Sequence, residues 1–180
     1  RLDVLASFRM RELEPQPIAI AGQPAWTFDR LTAVGQPAPA LRLADPDFND
    51  RTLADFAGKK KVLHVVPSLE APVCRRATEK FIAAFAARAD VVVLTISADL
   101  PFALARLCAD LKAPRGQFLS TFRAPEFGMD YGTLIVEHAR MGLQARAVLV
   151  LDEHDVVQHV QLVSETMDEP DVAAALAALG

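Results

Sequence analysis

Apolar residues fall along this chain in two rhythms. Lys61 to Val66 (KVLHVV) is a short, nearly continuous apolar run that stops at Pro67, the pattern of a strand buried on both faces. Val91 to Ile96, ending at Ser97, and Ala147 to Leu151 repeat that pattern. Between the first two runs the spacing changes to steps of three and four. Ala77, Phe81, Ala84 and Phe85 predict a helix over about Val73 to Arg88. Pro101 to Leu111 predicts a second helix, with its proline in the tolerated first turn. Arg123 to Tyr131 predicts a short third one. Glu153-His154-Asp155 is a tight turn into Val156–Val163, where Val156, Gln158, Val160 and Leu162 share a face, so this region reads as a hairpin. Pro170 to Leu179 closes the pattern as a helix, with Asp168 or Glu169 near its N-terminus, where the dipole favours anions. Upstream, Ile18–Ile20 and Ala25–Phe28 flank the turn-like Gly22-Gln23-Pro24, which predicts a small N-terminal β-hairpin. Leu41 and Leu43 begin a strand, and Asn49-Asp50 is a turn.

This order gives an α/β chain. Parallel β-α-β units followed by an antiparallel hairpin make a mixed central sheet with helices on both faces, a thioredoxin-like architecture. We expect a single domain over residues 18–180 behind a flexible N-terminal extension over residues 1–17. Met10 is a candidate start, which would leave residues 1–9 upstream of it. With 180 residues the chain has the size of one ordinary domain and can bury most of its apolar surface in one core.

Composition narrows the function classes. Apolar residues make up 52% and charged residues 23%, as in globular proteins. The net charge of −4 gives no basic surplus of the kind nucleic-acid binding needs. No run approaches the ~20 apolar residues of a membrane helix. Arg1 to Glu14 alternates charge and apolarity, unlike a secretory signal, so the expected location is cytoplasmic. The two cysteines are not spaced C-x-x-C, and with four scattered histidines they offer no zinc-ligand set, so no metal or cofactor is expected.

Two cysteines in a reducing compartment are either inert core or redox chemistry. Cys74 lies just after a buried strand, near the first turn of a helix, where free N–H groups carry partial positive charge and favour a nucleophilic thiolate. Arg75 and Arg76 add positive charge nearby. A cysteine there can equally be a small buried hydrophobe, and position alone leaves both readings open. Cys108, beside Leu107 and Leu111, reads by itself as core packing. His64 falls inside a strand and reads as a hydrogen-bonded core residue; His154 lies in a turn, and His138 and His159 have no visible partner. Ser68 has no visible base to make it a nucleophile.

Several longer stretches carry a resemblance. Ala57 to Leu63 (AGKKKVL), Val66-Pro67-Ser68 with Val73-Cys74, and Ser97 to Ala103 (SADLPFA) resemble the bacterial thiol peroxidases, the atypical two-cysteine peroxiredoxins. So do Leu119 to Arg123 (LSTFR), Pro125-Glu126-Phe127 and Ala145 to Val148 (ARAV), and the likeness runs from about Gly35 to the C-terminus. The spacings of Cys74 to Cys108 and Cys74 to Arg146 also fit the family. The resemblance implies a peroxiredoxin fold and a thiol-specific peroxidase acting on hydrogen peroxide and organic hydroperoxides. In it the Cys74 thiolate attacks the O–O bond and becomes a sulfenic acid. Arg146 stabilises the developing charge, and Pro67 shields the site from water. Cys108 then resolves the sulfenic acid as an intramolecular disulfide, which thioredoxin reduces. Helix-borne cysteines that start apart must unwind locally to bridge, because a disulfide needs Cα atoms within ~7 Å. Equal hydrogen-exchange protection in reduced and oxidised protein would count against that unwinding.

One position departs from the family. Its pattern is proline, three residues, threonine, two residues, cysteine, and here the threonine position is Ala71, followed by Pro72. The threonine hydroxyl hydrogen-bonds at the thiolate and peroxide in the family, and losing it would slow attack by about 10- to 100-fold. Ser68 or a water is the candidate substitute, and Glu70 would oppose the thiolate if it pointed inward. Ala71 keeps a second reading open: a non-enzymatic redox sensor or disulfide relay using the same cysteine pair. The resemblance further implies a homodimer, with Arg123–Tyr131 and Ala98–Phe102 near the contact. Phe102, Phe122, Phe127 and Tyr131 suit an interface core and a monomer core equally.

Overall fold

The computed structural model describes residues 12–180. Residues 1–11, most of the expected extension, lie outside the described residues. Its last residues are tied down: Glu14 N–H donates to Asp29 Oδ1, the Leu31 N–H donates to Gln16 Oε1, and Pro17 opens the first strand.

The N-terminal hairpin pairs β1 (Pro17–Ile20) with β2 (Gln23–Thr27), and β8 (Ile135–Val136) adds to β2. Its turn is Ala21-Gly22 rather than Gly22-Gln23-Pro24. Both residues have positive φ, the geometry a two-residue hairpin loop needs to match strand twist. The Glu165 carboxylate holds it by accepting from both turn amides.

The central sheet has the order β10-β9-β5-β6-β7-β3-β4. These strands are β3 (Leu43–Ala44), β4 (Asp50–Arg51), β5 (Lys60–Val65), β6 (Val91–Ser97), β7 (Phe118–Ser120), β9 (Ala147–Leu151) and β10 (Val157–Leu162). β5, β6 and β7 run parallel; β9 lies antiparallel against β5, and β10 against β9. β5, β6 and β9 have neighbours on both sides and helices or loops on both faces, which is why residues 62–65, 91–96 and 147–151 are apolar but for His64 and Thr95. Val157, not Val156, turns into the core, because a bulge between Val157 and His159 shifts the alternation before Val160 and Leu162.

Helices α1 (Pro72–Phe85), α2 (Pro101–Leu111) and α4 (Val172–Ala177) cover one face. Phe81 and Phe85 of α1 meet Val62, Val93 and Val148 there, with Ala175 of α4. On the other face, α3 (Glu126–Asp130) and the residue after it bring Phe127 and Tyr131 against Leu63, Leu94 and Leu149. These two aromatics therefore belong to the core of the monomer. Asp171, rather than Asp168 or Glu169, caps α4 by accepting from the Ala174 N–H.

Candidate active site

β5 ends at buried Val65, and buried Val66 leads into Pro67. The loop that follows is stapled to the end of β6. Asp99 accepts from Ser68 Oγ at 2.6 Å, from the Leu69 N–H at 2.7 Å and from Ser97 Oγ at 2.8 Å. Ser68 is thereby committed to Asp99. Glu70 is exposed and ion-paired with Arg106, turned away from the thiol.

Ala71 is the N-cap of α1, with extended backbone and no side-chain acceptor to offer the first turn. Pro72 takes the first helical position, where its missing N–H costs nothing and its fixed φ suits the helix. Cys74 follows two residues on, within the turn whose amides have no intrahelical acceptor. Cys74 is buried.

The antiparallel pairing of β9 with β5 sets the other half of the site. The start of β9 lies beside the end of β5, so Arg146, immediately before β9, arrives at the end of the sheet that carries Cys74. Arg146 is 0% exposed. Its Nη2 donates to Cys74 Sγ at 3.2 Å and to the Thr166 carbonyl at 3.0 Å, and its Nε donates to the same carbonyl at 3.1 Å. The carbonyl clamps one edge of the guanidinium. Nη1, also buried, makes no hydrogen bond among the described residues, so the fork keeps a donor in reserve. Arg75 and Arg76 play no such part: Arg75 pairs with Glu79 and Asp110, and Arg76 with Glu169.

Cys108 lies in the apolar cluster that also holds Cys74, with Val66, Leu69, Leu104, Leu107 and Phe118. Both cysteines are free thiols. Burial pushes the Cys108 thiol up to about 11, with Arg115 pulling down and Asp47 pushing up by smaller amounts. Cys74, Cys108 and Arg146 thus converge at one end of the sheet, and Pro67 is buried at the start of the loop leading to Cys74. Sequence reasoning missed Asp99 and Thr166. Asp99 had a signal, a carboxylate just beyond the carboxyl end of a buried strand; Thr166 acts through its backbone carbonyl and had none. Among the described residues no group of His, Cys, Asp and Glu could hold a metal ion, and no helix is long and apolar enough to cross a membrane.

The Redoxin family model matches residues 33–176, which span every strand of the central sheet and all of these site residues. The chain belongs to the Redoxin family. Within it, the thiol peroxidases are its relatives. A thiol peroxidase of Vibrio cholerae is 39% identical over 155 residues, covering 86% of this chain and 90% of that one. One of Staphylococcus aureus is 46% identical over 144 residues, covering 80% and 85%. A peroxiredoxin-like protein from Aquifex aeolicus superposes with a TM-score of 0.81 at 31% identity, covering 92% of this chain and 99% of that one. A thiol peroxidase from Chromobacterium violaceum has the same fold, with a TM-score of 0.84 at 21% identity over 89% and 93% of the two chains. The Redoxin chain described here is a peroxiredoxin-type protein with a thioredoxin-like fold.

Proposed function

We propose that this Redoxin-family protein is a thiol peroxidase in which Cys74 is the attacking thiolate, Arg146 its charge partner and Cys108 the resolving thiol. The observation that carries the reading is the buried Arg146 fork, with one nitrogen 3.2 Å from Cys74 Sγ and another unpartnered beside it. Sulfur attacks the terminal oxygen of a hydroperoxide, the S–O bond forms as O–O breaks, and the alcohol or water leaves with a proton. The negative charge that develops on the peroxide oxygens meets a guanidinium fixed in advance, in a site closed to water. The Cys74 sulfenic acid then condenses with the Cys108 thiol, releasing water and forming the disulfide. A dithiol protein reductant, proposed to be thioredoxin, exchanges with that disulfide and restores both thiols. The cytoplasm, a reducing compartment, is the proposed setting.

The test is a millisecond-to-minute mass-spectrometric time course of the reduced protein with one equivalent of hydrogen peroxide. Stoichiometric Cys74–Cys108 disulfide, formed much faster than a free thiol oxidises, is the expected result. Oxidation at the rate of a free thiol would overturn the peroxidase reading for this substrate and favour the sensor or relay. Ala71 is the observation behind that second reading, since Ser68 is held by Asp99 and does not replace the missing hydroxyl.

A homodimer is proposed as well. Phe102 is 73% exposed, and its ring packs edge-on to Phe48, which in turn meets Phe122. With exposed Leu100 these rings form an apolar patch beside the Asp99 staple, suited to a second copy of this chain. A monomeric mass at micromolar concentration would remove the dimer and leave the peroxidase reading intact.

A further inference from the structure

We propose that Thr78 and His64 are positioning residues that hold Cys74 in its attacking pose and govern its release toward Cys108. The inference rests on the thiol peroxidase reading. Thr78 Oγ1 donates to the Cys74 carbonyl at 2.9 Å, and His64 Nε2 lies 3.1 Å from the same hydroxyl. All three residues are buried.

The direction of each proton follows from what each atom can do. A carbonyl only accepts, so the single hydroxyl hydrogen of Thr78 goes to Cys74. Thr78 Oγ1 is then the acceptor toward His64, and Nε2 must carry the imidazole hydrogen. Nδ1 is the bare nitrogen, and it makes no hydrogen bond among the described residues. Neighbouring side chains keep the ring in this form. It stacks on Phe81 at 4.4 Å between centroids, one turn beyond Thr78 on α1. On β5, His64 is paired with Val148, two residues from Arg146 on the same face of β9. Burial first, and the Arg146 charge second, pull the imidazole down to about 3, so His64 remains a neutral donor at physiological pH.

The start of α1 has no side-chain cap, and it is held by the Arg75 N–H donating to the Ala71 carbonyl and by Arg146 on the Cys74 sulfur. The chain from β5 to the Cys74 carbonyl adds a tie to the sheet. Bridging to Cys108 requires Cys74 to leave this turn. When it leaves, the Thr78 hydroxyl, still accepting from His64, stays behind in a buried place without its own acceptor, a state that buried polar groups resist. The pair therefore lengthens the life of the folded sulfenic acid, during which a second peroxide can convert it to sulfinic acid.

Single-turnover mass spectrometry on the reduced full chain tests this, using T78V, which keeps the side-chain volume, and T78S, which restores the hydroxyl. T78V is expected to form the Cys74–Cys108 disulfide about tenfold faster after sulfenic acid formation, with a correspondingly smaller sulfinic fraction in excess peroxide. T78S is expected to return to the wild-type partition. H64L should move the partition in the direction of T78V by a smaller step, and H64Q, which keeps an N–H near Nε2, should restore it. Variants that lose thermal stability yet leave the partition unchanged would make the pair plain core and overturn the proposal. The wild-type protein gives an independent reading through the ¹⁵N resonances of His64. We expect an Nε2–H tautomer in the reduced protein and an altered Nε2–H signal in the disulfide form, and identical signals in both would also overturn it. Wild-type protein that makes no Cys74–Cys108 disulfide would defeat the peroxidase reading itself, whereas an unchanged partition defeats only the positioning role.

Discussion

Cys74 and Cys108 share one apolar cluster and are equally hidden from solvent, yet their surroundings favour different chemistry. Cys74 is in the first turn of α1, at the positive end of a helix, with a buried guanidinium on its sulfur. Cys108 is in the last turn of α2, at the negative end, where its own carbonyl accepts from the Ala113 N–H. Burial pushes its pKa above that of a free thiol, with Arg115 and Asp47 acting in opposite directions by smaller amounts. Burial alone therefore does not distinguish a nucleophile from a reserve thiol. What differs, in the proposed cycle, is the helix end and the guanidinium at Cys74, which favour developing negative charge there, while burial keeps the Cys108 thiol protonated.

Three experiments break or sharpen that contrast. The largest effect is expected from R146K, which keeps a charge but loses the fork. Sulfenic acid formation at Cys74, followed by trapping and mass spectrometry, should slow by about 10²–10³-fold, while alkylation of Cys108 in the unreacted protein stays as it was. An equal rate in R146K would mean that the helix end suffices. Next, A71T should accelerate attack by about 10-fold or more, the worth of a hydroxyl donated to a charged centre. Stopped-flow peroxide consumption measures it, and no gain would show that the site is already complete without that hydroxyl. The smallest effect is at Cys108. Burial pushes its thiol up to about 11 in the folded chain from the ordinary thiol value of 9.0, so the unfolded chain releases its proton first as pH rises. The stabilisation is whole below pH 9 and fades as pH climbs through 11. Unfolding free energies from urea titration should fall over that window by less than about 1 kcal/mol per pH unit, and C108A should flatten the decline.

Much of this arrangement was legible in the chain. The runs at β5, β6 and β9 announced themselves because strands buried on both faces admit few polar residues, His64 and Thr95 among them. α1 followed from its three-and-four spacing, and α2 from the proline that opens it. β7, at three residues, and β8, at two, are too short for any periodicity, and the bulge in β10 breaks the alternation that would have marked its face. At the site, Cys74, Cys108 and Arg146 stood out through resemblance. Their mutual placement depends on which end of β9 meets which end of β5, a matter of sheet order. The engagement of Ser68 by Asp99, 31 positions away, and of Arg146 by a backbone carbonyl left no local trace. The exposed aromatics also divided only in three dimensions: Phe127 and Tyr131 went to the core, Phe102 and Phe122 to the surface.

Pro72 has a consequence in chain entropy. A ring that fixes φ does so whether or not the helix is formed. When the first turn of α1 opens, as the proposed cycle requires, one of its residues keeps nearly the backbone angle it had, and the open segment samples fewer shapes. Rewinding then forfeits less disorder, by about 0.4–1 kcal/mol for such a proline. The residue that leaves the turn without an amide also makes the turn easier to rebuild, which in the proposed cycle returns Cys74 beneath Arg146 after each reduction.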